Sequence, residues 1–277
     1  MMKDPVCGMQ VNEKDSINYE YGALNYYFCS MNCRIKFIDH PENYAHGGKS
    51  KKHVISLDSV WKTYLPESET PVHALKNVSL DIEKGDFIAI KGPSGSGKST
   101  MMALVGCLDK PSKGKIFLDG HDICKLSESE LAQIRGKKIG FVFKQFNLMP
   151  TMTAIKNVML PMVFQGVEYE KRKRKADELL ALVGLSHRKT HLPSEMSGGE
   201  KQRVAIARSL VNNPELILAD EPTGNLDSSN GHQILKILKD LHHQHNATLV
   251  IVTHDESIAN TANRIVTLKD GQILSHK

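Results

Sequence analysis

This chain of 277 residues is short of two things, long apolar runs and cysteine. No stretch approaches the ~18 consecutive apolar residues that cross a bilayer. Any service to a membrane is therefore expected to run through a partner chain. The opening residues, MMKDPVCGMQVNEKD, are polar and partly acidic, unlike a secretory leader. The five cysteines (Cys7, Cys29, Cys33, Cys107 and Cys124) are odd in number, and without an export signal a reducing compartment and no disulfides are expected. A large excess of one charge is also missing. The 36 Lys and Arg against 31 Asp and Glu leave a formal net charge of +5. That balance suits an anionic ligand but gives no argument for nucleic acid, and no nucleic-acid partner is expected. The basic run KRKRK at 171–175 is flanked by Glu168, Glu170, Asp177 and Glu178, which makes it a solvated helix face.

What remains is ordinary globular composition, 40% hydrophobic and 24% charged. The length allows one large domain and a small one. A composition break near residues 46–53, HGGKSKKH, has two glycines, three lysines and no large apolar residue. It divides the chain into a small module over 1–46, a linker over 47–53 and a large domain over 54–277.

In the large domain, FIAIK (Phe87–Lys91), LILAD (Leu216–Asp220) and TLVIVT (Thr248–Thr253) are short apolar runs of the kind buried on both faces of a parallel sheet. Helical stretches at 98–108, 199–212 and Ser228–His245 separate them; in the last, Ile234, Leu235, Leu238 and Leu241 recur at helical spacing. The class is α/β with a mostly parallel sheet. Alternating runs at 54–60 and 78–82, and the turn pairs Asp119-Gly120 and Asp270-Gly271, predict an antiparallel part. Residues 125–195 are more polar and helical, and are expected to form an inserted helical subdomain.

Residues 92–100 read GPSGSGKST, which fits G-x-x-x-x-G-K-[ST] between a strand and a helix, the setting of a P-loop. The backbone of Gly92, Pro93, Ser94, Gly95, Ser96 and Gly97 would curl round phosphates at a helix N-terminus. Lys98 would reach the β- and γ-phosphates of ATP, Ser99 would offer its hydroxyl to Mg²⁺, and Thr100 would lie beside the α-phosphate. The strand LILAD delivers Asp220 to its C-terminal end, where ligands sit in such sheets, as a holder of the Mg²⁺ shell. Glu221 follows as candidate general base for the attacking water.

The stretch MSGGEKQR (196–203) resembles the LSGGQ signature of ABC ATPases, with Ser197, Gly198 and Gly199 opening a second anion-binding helix N-terminus. The resemblance implies a P-loop NTPase core with an antiparallel β subdomain and a helical insertion. It also implies a homodimer that sandwiches two ATP, the signature of one subunit closing on the nucleotide of the other. PTGNLDS (222–228) is similar to the D-loop, with Asp227 facing the partner. His254 resembles the switch histidine, and Tyr64 the aromatic that stacks on adenine. One position departs. The family usually has GFVFQ, and here GFVFKQ (140–145) puts Lys144 where the glutamine belongs, with Gln145 next. A protonated lysine cannot ligate Mg²⁺. Three arrangements follow: Gln145 takes over through a one-residue shift, Lys144 points away, or Lys144 contacts the γ-phosphate. The first two are favoured, and weakened hydrolysis or coupling is expected.

GCLDKPSKGKIFLDG (106–120), FVFKQFNLMP (141–150) and LADEPTGNLDS (218–228) resemble the lipoprotein-release and macrolide-exporter (LolD/MacB-like) branch. This implies a membrane permease in trans, docked on residues 146–160, and a place on the cytoplasmic side of the inner membrane. A force-transmitting ATPase of the cell-division type, or a slow metal-responsive regulator, is the alternative. Residues 4–44 resemble the small α+β YHS/TRASH-like metal-associated domains. Cys7, Cys29 and Cys33 would hold Cu⁺ or Zn²⁺, with Met9 or His40 as a fourth ligand; the other reading is buried thiols in a metal-free domain. Cys107 and Cys124 are taken as structural. The pairing of the two parts implies an exporter linked to heavy-metal handling.

Overall fold

The structure, a computed structural model, describes residues 2–12, 16–21, 24–39, 41, 44, 53–65 and 70–276. The chain divides into two compact units, Met1–Lys52 and His53–Lys277. The expected linker falls outside the described residues except for His53, which already begins a strand.

The first unit has two antiparallel pairs, β1 (Met2–Lys3) with β2 (Gln10–Val11), and β3 (Ile17–Tyr21) with β4 (Leu24–Phe28), followed by α1 (Met31–Asp39). Its core is Phe28 and Phe37, both fully buried, ringed by Val6, Ile17, Tyr19, Tyr26, Cys33 and Tyr44. Phe37 lies 4.7 Å from the ring of Tyr26 and 5.1 Å from that of Phe28. A core this small stabilises weakly by burial alone.

The second unit opens with β5 (His53–Tyr64) and β6 (Val72–Glu83), then β7 (Phe87–Lys91), α2 (Lys98–Val105), β8 (Lys113–Leu118) and β9 (His121–Asp122). Strands β6, β5, β8 and β9 form an antiparallel sheet in that order. Both long strands outrun the expected 54–60 and 78–82, because register shifts beyond Leu57 break the alternation that marks a strand in sequence. Both DG pairs are turns with positive φ at each central residue: Asp119 49° and Gly120 80°, Asp270 49° and Gly271 80°.

There follow α3 (Glu128–Lys138), β10 (Ile139–Val142), α4 (Ala154–Phe164), α5 (Tyr169–Leu182), α6 (Gly198–Leu210), β11 (Leu216–Asp220), α7 (Ser228–His245), β12 (Thr248–Thr253), α8 (Glu256–Ala259), β13 (Arg264–Lys269) and β14 (Gln272–His276). The central sheet runs β10-β11-β12-β7-β13-β14, parallel except for the β13–β14 pair. Strand β12 is buried throughout, as parallel strands covered on both faces are. Helices α4, α5 and α6 pack on one another around Val158, Met162, Leu180 and Val204.

Other boundaries also differ from expectation, and helix α6 ends at Leu210 rather than 212. The segment 125–195 is not wholly helical, since β10 lies inside it and pairs with β11. Only four residues long and split by Gly140, it has no readable apolar run; a Cβ on Gly140 would lie 2.3 Å from the Ser209 carbonyl. Helix α2 stops at Val105 rather than 108. Gly106 caps it under the Phe141 ring, and Cys107 turns to φ 52°.

Candidate functional site

The chain leaves β7 through Gly92 and enters α2 at Lys98. Two glycines of this loop are demanded by packing. A Cβ on Gly92 would lie 2.2 Å from the Leu268 carbonyl, and one on Gly97, at φ 100°, would lie 2.5 Å from the Ala74 carbonyl. Gly95 has φ 76° with open space at its Cβ position. The result is a cradle open on one side. Lys98 arches over it, its Nζ donating to Gly92 O at 2.8 Å and Pro93 O at 2.7 Å. Phosphate oxygens are stronger acceptors than these two carbonyls. Ser96 is buried and its hydroxyl has no partner, while its backbone N–H donates to Pro93 O at 3.3 Å and its carbonyl accepts from Gly271 N at 3.1 Å.

A cleft of about 770 Å³ brings Ser94, Gly95, Lys98, Ser99 and Thr100 together with Asp220, Glu221, Lys144 and His254. Asp220 ends β11. Burial, then the neighbouring Glu221 charge, pushes its carboxyl above the usual range, and Lys144 and Lys98 oppose this. Glu221 turns to φ 40°, with its N–H on Val252 O at 2.9 Å. Both its carboxylate oxygens are engaged: Oε2 with Lys144 Nζ at 2.5 Å, Oε1 with His254 Nδ1 at 2.6 Å. The Lys144 ammonium is the main cause that holds Glu221 below its usual range, against burial and with help from His254. In return Glu221 holds the Lys144 ammonium above its own.

Lys144 therefore points into the cleft, not away from it. Gly224 leaves room for its stem, since a Cβ there would lie 2.9 Å from Lys144 Cε, and Asn225 Nδ2 donates to its carbonyl at 3.0 Å. Gln145 is exposed and is not among the cleft residues. The expected one-residue substitution by Gln145 is not what the geometry has: the carboxylate of Glu221 draws the lysine inward, leaving Gln145 outside.

Ser197, Gly198, Gly199 and Asp227 come together but do not line the cleft of their own chain. Ser197 caps α6 in a reciprocal box, accepting from Glu200 N at 3.2 Å while Glu200 Oε2 accepts from Ser197 N at 2.8 Å. Arg188 steadies Glu200 from the side at 2.9 Å. Gly199 lies under Asn230, whose side chain donates to Asp227 Oδ2 at 2.6 Å. Tyr64 also lies off the cleft lining, whose near rim is Val72, His73 and Ala74. Its hydroxyl donates to Asp109 at 3.1 Å and Lys62 sits 5.0 Å from its ring centre.

The first unit carries the second site. The sulfurs of Cys7, Cys29 and Cys33 and a carboxylate oxygen of Asp4 all lie within 4.8 Å of one another. Cys29 Sγ is 3.4 Å from Cys7 Sγ and 3.8 Å from Cys33 Sγ. A tetrahedral ion with metal–sulfur bonds of about 2.3 Å sets its sulfurs about 3.8 Å apart, so the three thiols fit one. Asp4 was not legible as part of this site; its only trace in the sequence is the D-x-x-C spacing. It is buried, with Oδ1 accepting from Val6 N and Cys7 N and Oδ2 from Cys29 N. Burial raises its pKa, but the Cys29 and Val6 amides together with the Cys29 and Cys7 thiols outweigh it and hold the carboxyl at about 2. That anion, with Cys7, pushes the Cys29 thiol up to about 12. Met9 is exposed, and His40 lies outside the described residues. Cys107 is buried, its thiol pushed up to about 12 by burial, in keeping with a packing role.

With this geometry in hand, a family model described as ABC transporter matches residues 75–224, more than half the chain. The chain belongs to the ABC transporter family. This ABC ATPase also carries a YHS domain, matched over residues 2–48. It is 49% identical over 222 residues to an "Uncharacterized ABC transporter ATP-binding protein" of Thermotoga maritima, covering 80% of this chain and 94% of that one. It is 49% identical over 211 residues to the "Macrolide export ATP-binding/permease protein MacB" of Mannheimia succiniciproducens, covering 76% of this chain but 33% of that protein. Among solved structures it is similar to the Methanocaldococcus jannaschii cassette MJ0796, in a dimeric post-hydrolysis state bound to ADP and Pi. The TM-score is 0.75 at 47% identity, covering 80% of this chain and 97% of that one. The ABC ATPase is thus of the LolD/MacB-like branch.

Proposed function

We propose that this ABC ATPase works as a homodimer that energises an export permease in trans, and that its YHS unit links the transport to a thiophilic metal such as Cu⁺ or Zn²⁺. The observation that carries the reading is the separation of the two halves of the nucleotide machinery. The P-loop, Asp220 and Glu221 share one cleft, while Ser197, Gly198, Gly199 and Asp227 lie off it. A second copy would bring its signature to the γ-phosphate held by the first.

The cradle fits a triphosphate, since the loop glycines at 92, 95 and 97 leave the space and backbone angles that phosphates need. When bound between Ser99 and Asp220, Mg²⁺ supplies positive charge to the phosphate oxygens. Lys98 exchanges its two loop carbonyls for β- and γ-oxygens. Glu221 takes the proton of the attacking water on a carboxylate oxygen, and His254 orients it through the other. Tyr64 would stack on the adenine from beside the rim, and Gln145 is left to the permease side.

For the permease, a cavity of about 330 Å³ between α3, α4 and α6 is lined by Phe141, Phe143, Pro161 and Arg208 among others. Arg208 fastens the adjoining loop by donating to the carbonyls of Phe146 and Asn147. Among the described residues no helix is long and apolar enough to cross a membrane; attachment at the cytoplasmic face of the inner membrane through that partner is part of the proposal. The Cys7, Cys29 and Cys33 cluster supports one metal ion per chain. A slow, metal-responsive or force-transmitting ATPase is the second reading, favoured by the Lys144–Glu221 pair.

The test is ATP hydrolysis by the full chain alone and with its co-purifying permease in vesicles, with and without one equivalent of Cu⁺ or Zn²⁺. Hydrolysis stimulated by the permease is expected. Hydrolysis that responds to metal with no permease effect would favour the second reading, and no hydrolysis in any arm would overturn both.

A further inference from the structure

Lys144 is the one cation in the phosphate cleft that the hydrolytic chemistry above does not use. Its Nζ is 2.5 Å from Glu221 Oε2, and it lines the same cleft as Ser94, Gly95 and Lys98. Its position is built rather than incidental. The backbone carbonyl is held by Asn225, the stem lies over Gly224, and the ammonium is fixed by a carboxylate whose other oxygen is fixed by His254.

An ammonium has three donors. One serves Glu221, which leaves two for phosphoryl oxygens without breaking the pair. The charged and titratable groups facing the cleft are then two lysines (98 and 144), two carboxylates (Asp220 and Glu221) and two histidines (73 and 254). Lys98 belongs to the P-loop end of α2 and Lys144 to the segment after β10, and both charges act on Asp220. The terminal phosphate of a nucleoside triphosphate carries the most charge and gains most from a second ammonium in the cleft.

Resting on the nucleotide reading above, we propose that Lys144 is a resident cation for the γ-phosphate. It replaces part of the charge that Mg²⁺ otherwise supplies and, by pinning Glu221, slows hydrolysis. The cleft therefore discriminates ATP from ADP even without a divalent ion. The same charge repels Mg²⁺ arriving at Asp220, so hydrolysis needs more Mg²⁺ than it would with a neutral residue at 144. Lys144 acts on the reaction through Glu221 and the phosphate, as a positioning residue.

The experiment is equilibrium binding of ATP and ADP to the full chain, in EDTA and in Mg²⁺, for wild type, Lys144→Gln and Lys144→Arg. In EDTA, Lys144→Gln should weaken ATP about tenfold, the loss of one charge-assisted hydrogen bond. ADP should stay within about twofold, and Lys144→Arg should keep the preference for ATP. The Mg²⁺ concentration for half-maximal hydrolysis should fall and the turnover rate rise in Lys144→Gln. An ATP-to-ADP affinity ratio in EDTA that is the same in wild type and Lys144→Gln overturns the role of Lys144 alone. Failure of wild type to bind either nucleotide in Mg²⁺ overturns the nucleotide reading itself.

Discussion

Each of the two units carries a carboxylate withdrawn from water at its site, and the two have gone opposite ways. Asp4, 1% exposed, sits at about 2 because the amides of Cys29 and Val6 and the thiols of Cys29 and Cys7 donate to it and outweigh its burial. Asp220 is pushed above the usual carboxylate range because burial and the Glu221 charge outweigh the nearby lysines. Burial disfavours the anion in both, and the local donors decide the sign. The anion of Asp4 is already satisfied and serves to hold the amides of Cys7 and Cys29, hence the sulfurs, in place. The anion of Asp220 is left wanting a cation, which suits a group that receives a divalent ion. One site is organised by its carboxylate; the other is completed through it.

The largest effect that would sharpen this contrast is on Glu221, which differs from Asp220 in having both oxygens engaged. Glu221→Gln should lower ATP hydrolysis by about 10²–10⁴-fold while ATP still binds, read by steady-state rates beside equilibrium binding. A smaller loss would move the proton acceptor elsewhere.

Asp220→Asn should cut hydrolysis at least ~100-fold yet raise the melting temperature of the nucleotide-free protein at pH 7.5. A carboxyl with a raised folded pKa contributes stability only below its unfolded value, near 4, and loses it as pH rises through the folded value. At neutral pH the charged form therefore opposes folding, and the amide removes that penalty. An unchanged or lower melting temperature would break the comparison.

On the proposal that the thiols hold a metal, a chelator or Cys29→Ser should destabilise the first unit by several kcal/mol, because a core of two phenylalanines has little else to hold it. Amide exchange in α1 and β4 would report it, and ATP affinity should stay within about twofold.

Asp4→Asn should cost the first unit about 2 kcal/mol at neutral pH, the equivalent of its displacement from 3.8 to about 2. The sign is the reverse of that for Asp220. A depressed pKa gives stability above pH 4 that disappears as pH falls through 2. Loss of exchange protection at the Cys7 and Cys29 amides would check it.

Most of the large unit was legible because its signals are local. Strands 87–91, 216–220 and 248–253 stand where their apolar runs lie, as does the helix 228–245. The DG pairs turned where two positive φ values in succession are cheapest. Strand β10 was not legible, because Gly140 is there for the approach of Ser209 and not for strand propensity. In the first unit the cysteine spacing was visible, but Asp4 was not, since its partners are a chain turn apart (Val6, Cys7) and 25 residues away (Cys29).

The sequence by itself determined the P-loop, the acidic strand end, the signature and the three thiols, since each is a short motif whose chemistry lies in residue type and near spacing. Only the tertiary structure decided what Lys144 does. Its partner Glu221 is 77 residues away, and a lysine's charge can face solvent or a carboxylate with equal ease until the fold brings one within 2.5 Å. The direction of the shifts at buried Asp4 and half-buried Asp220 was decided in the same way: by which donors and charges the packed chain turned toward each.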